Sequence, residues 1–452
     1  MAVEQPARAA LMPDSAVVGS FLFAMFEGGG NVPLITPVVA AMVDRGHDVT
    51  VVAGPNIRRP AAPLPSDGFC DRVRGTGARL VPLLDEPIDP LDGYTARAAM
   101  FGRTPDSLWG AIDVGRIARW SETWATGLAE TIAGHQPHAL VCDFFLFGAL
   151  AAGESARVPT AALVHNSSVN WPLPGLPLPP PGSLPMRGPV GWLRDHAWAI
   201  TYNRVARREG LRLINETRSL LGLRGVRRPH EQVEHATRVL VMGSPSFELP
   251  LRVPLPDNVR SVGAIPGAAS DSSWHPPGDD GRPVILVSLS TLPQGQGPVM
   301  HRVLEALGGL PIRAVVTLGP ALAGVAFGIP ANVQVEAFVP HEVVLPHVSA
   351  VVTQCGLSTI MKVLAAGVPM VCLPVLGDQP ANAARITAAG AGVRLPKDAS
   401  ATALRDAVSQ VLDDPRYRQA AQRFATTLSA ENPKQLIVAE LEALIDRPAA
   451  SA

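Results

Sequence analysis

The segment Val348–Asn382 constrains the fold more than any other part of the chain, because two short apolar runs in it are each followed by a polar turn. Ala350–Thr353 and Val368–Leu373 have the length and composition of buried parallel strands. Between them, Ile360–Ala366 has a helical composition and ends at Gly367, a common helix terminator. The order strand, turn, helix, strand, turn predicts an α/β fold with a parallel sheet.

Both turns of this segment are expected at the ligand-binding edge of the sheet, since open α/β sheets bind ligands at the carboxyl ends of their strands. The first turn offers Ser358, Thr359 and the free N–H groups of a helix N-terminus, which suit a phosphate. The second turn offers Asp378 beside Gln379, a pair that suits the hydroxyls of a sugar. We interpret the two turns as a site for a diphosphate joined to a sugar.

The segment resembles the donor-binding signature of the family 1 glycosyltransferases, in the actinobacterial branch that modifies natural products. The matching residues are Thr353, Gly356, Ser358, Thr359, Gly367, Val368, Pro369, Asp378, Gln379 and Asn382. Three positions depart from the signature: Gln354 replaces the histidine that contacts the donor diphosphate, Cys355 replaces a small residue, and Gly377 replaces an arginine.

The resemblance implies the GT-B arrangement, in which two Rossmann-like domains face each other across a cleft and a C-terminal helix crosses back. It also implies a donor site on the second domain. In addition to the matching residues and to Gln354 and Cys355, this site includes a serine- and threonine-rich turn, with Ser288, Ser290 and Thr291 as phosphate ligands. Phe338 and Val339 are expected at the nucleobase.

The chain opens with a strand, a glycine-rich turn and a helix. Ala16–Met25 reads as the strand and Asn31–Arg45 as the helix, and Gly28, Gly29 and Gly30 lie between them. The glycines either form a tight turn or let a ligand approach the backbone. The resemblance places Gly28, Gly29, Gly30 and Asn31 in the acceptor site, and Gly30 stands where the family has its histidine base.

Asp143 follows the predicted strand Ala139–Cys142 and is interpreted as an active-site residue, with helix capping as the alternative. In the family this aspartate orients the catalytic histidine, so with glycine at position 30 it is expected to lack that partner. Asp143 and Glu27 are therefore the candidate catalytic bases. Phe144 and His165 are candidates for the acceptor site, with a core or loop histidine as the alternative for His165.

Other segments of the first half also have a predicted structure. Arg58–Gly77 is expected to form a mobile loop, and Pro105–Gly134 a helix whose tryptophans belong to the core or line an acceptor pocket. Trp171–Pro189 contains eight prolines and is expected to be an extended loop. Arg238–Met242 is predicted as the last strand of the first half.

Composition supports two domains and argues against several classes of protein. We place the acceptor domain at residues 1–245, a linker at 246–281, the donor domain at 282–430 and a C-terminal helix and tail at 431–452. The formal net charge of -1 argues against a partner that is nucleic acid or a membrane surface. The four cysteines show no metal-ligand spacing, and we expect neither a metal nor a cofactor. We predict a cytoplasmic protein. A homodimer is left open.

Two functions fit these features. The first is an inverting glycosyltransferase that moves a sugar from a thymidine or uridine diphosphate (TDP or UDP) sugar to a lipophilic natural-product acceptor, without the usual histidine base. The second is a repurposed or inactive relative that binds a natural product or a partner enzyme, or performs other chemistry in the cleft. In the first case either Asp143 or Glu27 takes the proton, or the acceptor is acidic enough to need little help.

Overall fold

The computed structural model describes most of the chain. The described residues are 18–27, 30–54, 67–84, 114–115, 117–165, 178–248, 254–265, 274–278, 280–289, 295–375 and 377–445. Four predicted site residues, Gly28, Gly29, Ser290 and Thr291, lie outside them. So do residues 58–66, 105–113 and 166–177, which hold parts of three predicted segments.

The first half folds around a parallel sheet. Its strands are β1 (Ser20–Phe26), β2 (Asp48–Gly54), β3 (Arg79–Pro82), β4 (Ala139–Asp143), β5 (Thr160–Val164), β6 (Arg238–Val241) and β7 (Val259–Ser261). Its helices are α1 (Val32–Asp44), α2 (Asp67–Arg74), α3 (Ser121–His135), α4 (Phe147–Ser155), α5 (Gly188–Ala206), a π-helix (Arg207–Leu211), α6 (Arg212–Leu220) and α7 (Glu231–Glu234). The strand order within the described residues is β3-β2-β1-β4-β5-β6-β7.

The second half repeats the plan with another parallel sheet. Its strands are β8 (Val284–Ser288), β9 (Arg313–Thr317), β10 (Val333–Glu336), β11 (Ala350–Thr353), β12 (Met370–Cys372) and β13 (Gly392–Arg394), in the order β10-β9-β8-β11-β12-β13. Its helices are α8 (Gly297–Gly308), α9 (Gly319–Leu322), α10 (His341–Val344), a 3₁₀ turn (Leu345–His347), α11 (Leu357–Ala365), α12 (Gln379–Ala388), α13 (Ala401–Asp413) and α14 (Pro415–Ala430); α15 (Pro433–Glu442) follows. The predicted fold class, two Rossmann-like α/β domains, is confirmed.

Each sheet has one position where the strand order reverses. In the first sheet it lies between β1 and β4, and in the second between β8 and β11. Connections from the two neighbouring strands leave in opposite directions there, which opens a crevice at the carboxyl edge of the sheet. The predicted acceptor turns follow β1 and β4, the first donor turn follows β11, and the second donor turn follows the adjacent strand β12.

Each sheet is covered on both faces by packed cores, so its central strands are largely apolar. In β1, Leu22, Ala24 and Phe26 pack into one core, while alternate residues such as Phe23 pack into the other. Trp120 and Trp124 are at most 2% exposed and belong to the first of these cores. Trp120 and Trp124, the tryptophans of the predicted helix that the structure describes, are therefore core residues and do not line an acceptor pocket.

The last described helix, α15, packs against the first half of the chain, as expected for the GT-B arrangement. Ile437, Val438 and Leu441 of α15 are buried in the core that contains α1. The carboxylate of Glu442 lies 3.0 Å from the guanidinium of Arg45. A second link between the halves is the hydrogen bond that Arg394 Nη1 donates to the Gly182 carbonyl, at 2.7 Å.

Several segment predictions were wrong. Helix α2 lies inside the predicted mobile loop Arg58–Gly77, because its apolar residues Phe69 and Val73 are buried in the core beside α1. Strand β7 pairs with β6, so Arg238–Met242 is not the last strand of the first sheet.

The described part of the chain contains no helix long and apolar enough to cross a membrane.

Candidate active site

The carboxylate of Asp143 lies at the crevice of the first sheet, where β4 ends. It is 1% exposed and accepts hydrogen bonds on both oxygens. Oδ1 accepts from the N–H of Phe145 at 3.0 Å, and Oδ2 accepts from the Nδ2–H of Asn31 at 2.8 Å. A buried carboxylate with this many donors is held firmly in place.

His165 is the imidazole partner of Asp143. Its Nε2 lies 3.2 Å from Oδ1 and 3.1 Å from Oδ2 of the carboxylate. The expectation that Asp143 lacks a histidine partner was therefore wrong. The cause is strand pairing: β4 and β5 are neighbours with Asp143 opposite Leu163, and His165 follows two residues later on the same side.

Asn31 and Phe144, both predicted to touch the acceptor, instead support this pair. Asn31 is 2% exposed, and its Nδ2 also donates to the Phe26 carbonyl at 3.1 Å. The buried ring of Phe144 packs edge-on against the imidazole of His165, with 5.0 Å between centroids. Phe145, which sequence reasoning missed, packs on the same imidazole at 5.4 Å.

Gly30 leaves open space where the family has its histidine. A Cβ atom built on this glycine would meet no atom of the described residues within 4 Å, its chain neighbours aside. Glu27, the other candidate base, is half-buried directly after β1 at the same edge of the sheet. Among the described residues, the space next to Gly30 is therefore open, directly before the Asn31 that bonds Asp143.

In the second half, Asn382 joins the two predicted donor turns. It is fully buried, and its Nδ2 donates to the Cys355 carbonyl at 3.0 Å and to Asp378 Oδ2 at 2.8 Å. Behind it, Arg385 forms a buried ion pair with Glu248 at 3.1 Å. Asn382 was predicted to contact the donor, but its burial makes it a positioning residue that fixes the carboxylate of Asp378 relative to the first turn.

The prediction that Asp378 and Gln379 act side by side was wrong for Gln379. Its side chain is 4% exposed, and its Oε1 accepts a hydrogen bond from the N–H of Val375 at 2.8 Å. That bond closes the turn between β12 and α12. Asp378 is half-buried at the start of α12, and its carboxylate makes no side-chain hydrogen bond to the N-terminus of that helix.

Cys355 also differs from expectation, because its thiol points into the core. Burial raises the pKa of this thiol well above its ordinary value, and a hydrogen bond with Cys372 adds to the effect. The backbone of Cys355 has φ +69°, the left-handed region that favours glycine, which fits the small residue the family carries there. Its side chain therefore cannot be a donor contact.

The turn after β11 presents the open N-terminus of α11. The first hydrogen bond of the helix runs from the N–H of Ile360 to the carbonyl of Gly356, so the preceding N–H groups remain available. Ser358 and Thr359 are half-buried in this first turn. Gln354 is 7% exposed, and its Oε1 has no hydrogen-bond partner within the described residues.

On the other side of the crevice, Ser288 ends β8 and its hydroxyl lies 3.0 Å from Nε2 of His341. Burial, and then the charge of Lys362, lowers the pKa of His341 to about 4, so this imidazole is neutral at physiological pH. Sequence reasoning had missed the contact between Ser288 and His341.

Phe338 is 74% exposed, an unusual state for a phenylalanine, whereas Val339 is buried.

Comparisons with known proteins agree with this geometry. Residues 301–444 match the family described as erythromycin biosynthesis protein CIII-like, C-terminal domain. The 4′-demethylrebeccamycin synthase of Lentzea aerocolonigenes is 30% identical over 447 residues, which cover 94% of this chain and 99% of that protein. The chain belongs to the actinobacterial natural-product branch of the family 1 glycosyltransferases.

This glycosyltransferase has further relatives. Demethyllactenocin mycarosyltransferase of Streptomyces fradiae is 35% identical over 161 residues, which cover 35% of each chain. The crystal structure of the calicheamicin glycosyltransferase CalG4 superposes with a TM-score of 0.68 at 22% identity and covers 96% of this chain and 100% of that chain. The glycosyltransferase VinC, solved in complex with DTDP, has a TM-score of 0.66 at 18% identity, covering 95% and 100%. The two solved structures share the GT-B fold of this enzyme.

Proposed function

We propose that this glycosyltransferase transfers a sugar, with inversion at the anomeric carbon, from a TDP or UDP sugar to a lipophilic natural-product acceptor. The observation that carries the proposal is the bond pattern of Asn382. One buried amide fixes the open N-terminus of α11 and the carboxylate of Asp378 as a single unit. A helix N-terminus suits a diphosphate and a carboxylate suits sugar hydroxyls, so together they suit a nucleotide sugar.

In this proposal the diphosphate lies at the turn after β11. The N–H groups of α11, the hydroxyls of Ser358 and Thr359, and the amide of Gln354 stabilise the charge that develops on the leaving group. Ser290 and Thr291, which follow Ser288 in the sequence, are assigned to the same diphosphate. Replacing the family histidine by Gln354 keeps an N–H donor but removes a potential positive charge.

The remaining groups bind the two ends of the donor. Phe338 stacks on the nucleobase through its exposed ring, and the backbone at Val339 bonds the base edge. Asp378 accepts from hydroxyls of the sugar. The relatives support this choice of substrates: VinC was solved with DTDP, and another relative is a 4′-demethylrebeccamycin synthase.

The donor site can be tested by calorimetric titration with TDP and UDP. We expect saturable binding of at least one of them, and a thermal stabilisation worth about 2.7 kcal/mol when the ligand is at about 100 times its Kd. Phe338→Ala should raise that Kd by about 5- to 100-fold, since aromatic stacking on a base contributes about 1–3 kcal/mol.

Val325→Ala is the matched control, because Val325 is also an exposed apolar residue of the second half, at 43%. It should leave the Kd unchanged. If a folded sample binds neither TDP nor UDP, the nucleotide-sugar donor is wrong, and the alternative of a repurposed binding protein becomes the better account.

A further inference from the structure

We infer that His165 is the catalytic base of this enzyme and that Asp143 is its positioning residue. The inference rests on the proposed function, since a base is needed only if an acceptor is deprotonated. It replaces both candidate bases from the sequence, and it assigns the proton to an imidazole directly after β5 in place of the family histidine, whose position Gly30 occupies.

The hydrogen bonds of Asp143 decide the tautomer of His165. An ionised carboxylate only accepts, so Nε2 of His165 must carry the proton that it shares with Asp143. In the neutral ring, Nδ1 then holds the lone pair. Nδ1 makes no hydrogen bond to any other described residue, so the basic nitrogen is available to a substrate.

Asp143 is a poor base for the same reason that it is a good positioning residue. Its oxygens already accept from Asn31, Phe145 and His165, and only 1% of the residue is exposed. Deprotonating an acceptor would require it to give up a buried hydrogen bond. As an anion beside the imidazole, however, it stabilises the imidazolium that forms when Nδ1 takes a proton.

The surroundings of His165 fit a base that works against a bound acceptor. Phe144 and Phe145 hold the ring edge-on, and its side chain retains 6% exposure. The neighbouring turn is open at Gly30, directly before the Asn31 that bonds Asp143. An acceptor in that space would lie against the carboxyl edge of β1, β4 and β5.

The chemical step balances with these groups alone. The acceptor O–H or N–H gives its proton to Nδ1 of His165, and its electron pair forms the new bond to the anomeric carbon. The bond from that carbon to the diphosphate oxygen breaks, and the nucleoside diphosphate leaves with the electron pair. The imidazolium then releases the proton to water.

The test compares acceptors that need a base with one that does not. The probes are TDP-glucose and UDP-glucose as donors, with 4-methylumbelliferone assayed below its ionisation and 2-chloro-4-nitrophenol assayed as its phenolate. His165→Ala should lower kcat by about 10²–10⁴-fold with the protonated phenol and by less than about 10-fold with the phenolate.

His135→Ala is the control, because this histidine is exposed on α3 and bonds only the carbonyl of Thr131 within the described residues. His165→Gln provides a second variant that fills the same space if the alanine variant does not fold. Equal losses with both acceptors, or a wild-type rate in both variants, would overturn the base assignment.

Failure of the proposed function has a different signature. A folded wild-type enzyme that consumes neither donor with either phenol would contradict sugar transfer itself, whatever the His165 variants do. Transfer by the wild type with an acceptor-independent effect of His165 would contradict the base assignment alone.

Discussion

Replacing Asp378 by alanine is expected to lower kcat/KM by about 10²–10⁴-fold while leaving the fold intact. The proposed role of this carboxylate is to accept two hydrogen bonds from the transferred sugar, and charge-assisted bonds contribute about 1.5–3 kcal/mol each. The side chain does not cap α12, and Asn382 keeps its bond to the Cys355 carbonyl without it. The free energy of unfolding should therefore change by less than about 1.5 kcal/mol.

The matched control is Asp398→Ala, which removes an exposed carboxylate of the second half outside both donor turns. It should show wild-type turnover. TDP affinity should survive Asp378→Ala within about threefold, because the carboxylate is assigned to the sugar and not to the diphosphate. Wild-type turnover by Asp378→Ala would remove the sugar-binding role.

Asp143→Asn is the second substitution with a large expected effect, a fall in kcat of about 10²–10⁴-fold. The introduced amide has only one acceptor oxygen for the donors on Asn31, Phe145 and His165. Its NH₂ group would favour the His165 tautomer in which Nε2 accepts and Nδ1 carries the proton. The lone pair that takes the acceptor proton would then be lost.

Asp143→Asn also distinguishes a positioning role of this residue from a defect in folding. TDP binding should persist in Asp143→Asn. The loss of kcat should be smaller with an ionised phenol as the acceptor, as is predicted for the His165 variants. Asp71→Asn, which changes a carboxylate that is 73% exposed, is the control for loss of charge. A rate for Asp143→Asn within threefold of wild type would show that the buried pair plays no part in proton transfer.

The two turns that we propose for the donor could be located from the sequence because their signals are local. The strands β11 and β12 are short apolar runs, and the helices after them begin at turns that the sequence marks with Gly356 and Gly377. Spacing of this kind is set within about 35 residues. The position of Asp378 at the edge of the sheet followed from the order of these elements alone.

The acceptor half was not readable in the same way, because its key contacts join distant residues. Asp143 meets His165 across two paired strands and meets Asn31 over a sequence separation of 112 residues. The replacement of the family histidine by Gly30 predicted a missing imidazole. The register of β4 and β5, which sequence patterns do not give, supplies another imidazole.

The roles of individual side chains within the turns after β11 and β12 were also not evident from the sequence. Sequence reasoning treated Gln379 and Cys355 as ligand contacts because they lie in the signature. The structure uses the oxygen of Gln379 to close its own turn and buries the thiol of Cys355 against Cys372. Whether a polar side chain faces a ligand or satisfies its own backbone depends on packing that composition does not reveal.

The most direct test of inverting sugar transfer is the anomeric configuration of the product, determined by proton NMR after reaction of TDP-glucose or UDP-glucose with 4-methylumbelliferone. Both donors carry an α-linked sugar, so a single displacement assisted by His165 predicts a β-glucoside together with one equivalent of TDP or UDP. An α-glucoside would contradict the single displacement, and donor hydrolysis without a glucoside would contradict transfer to the acceptor.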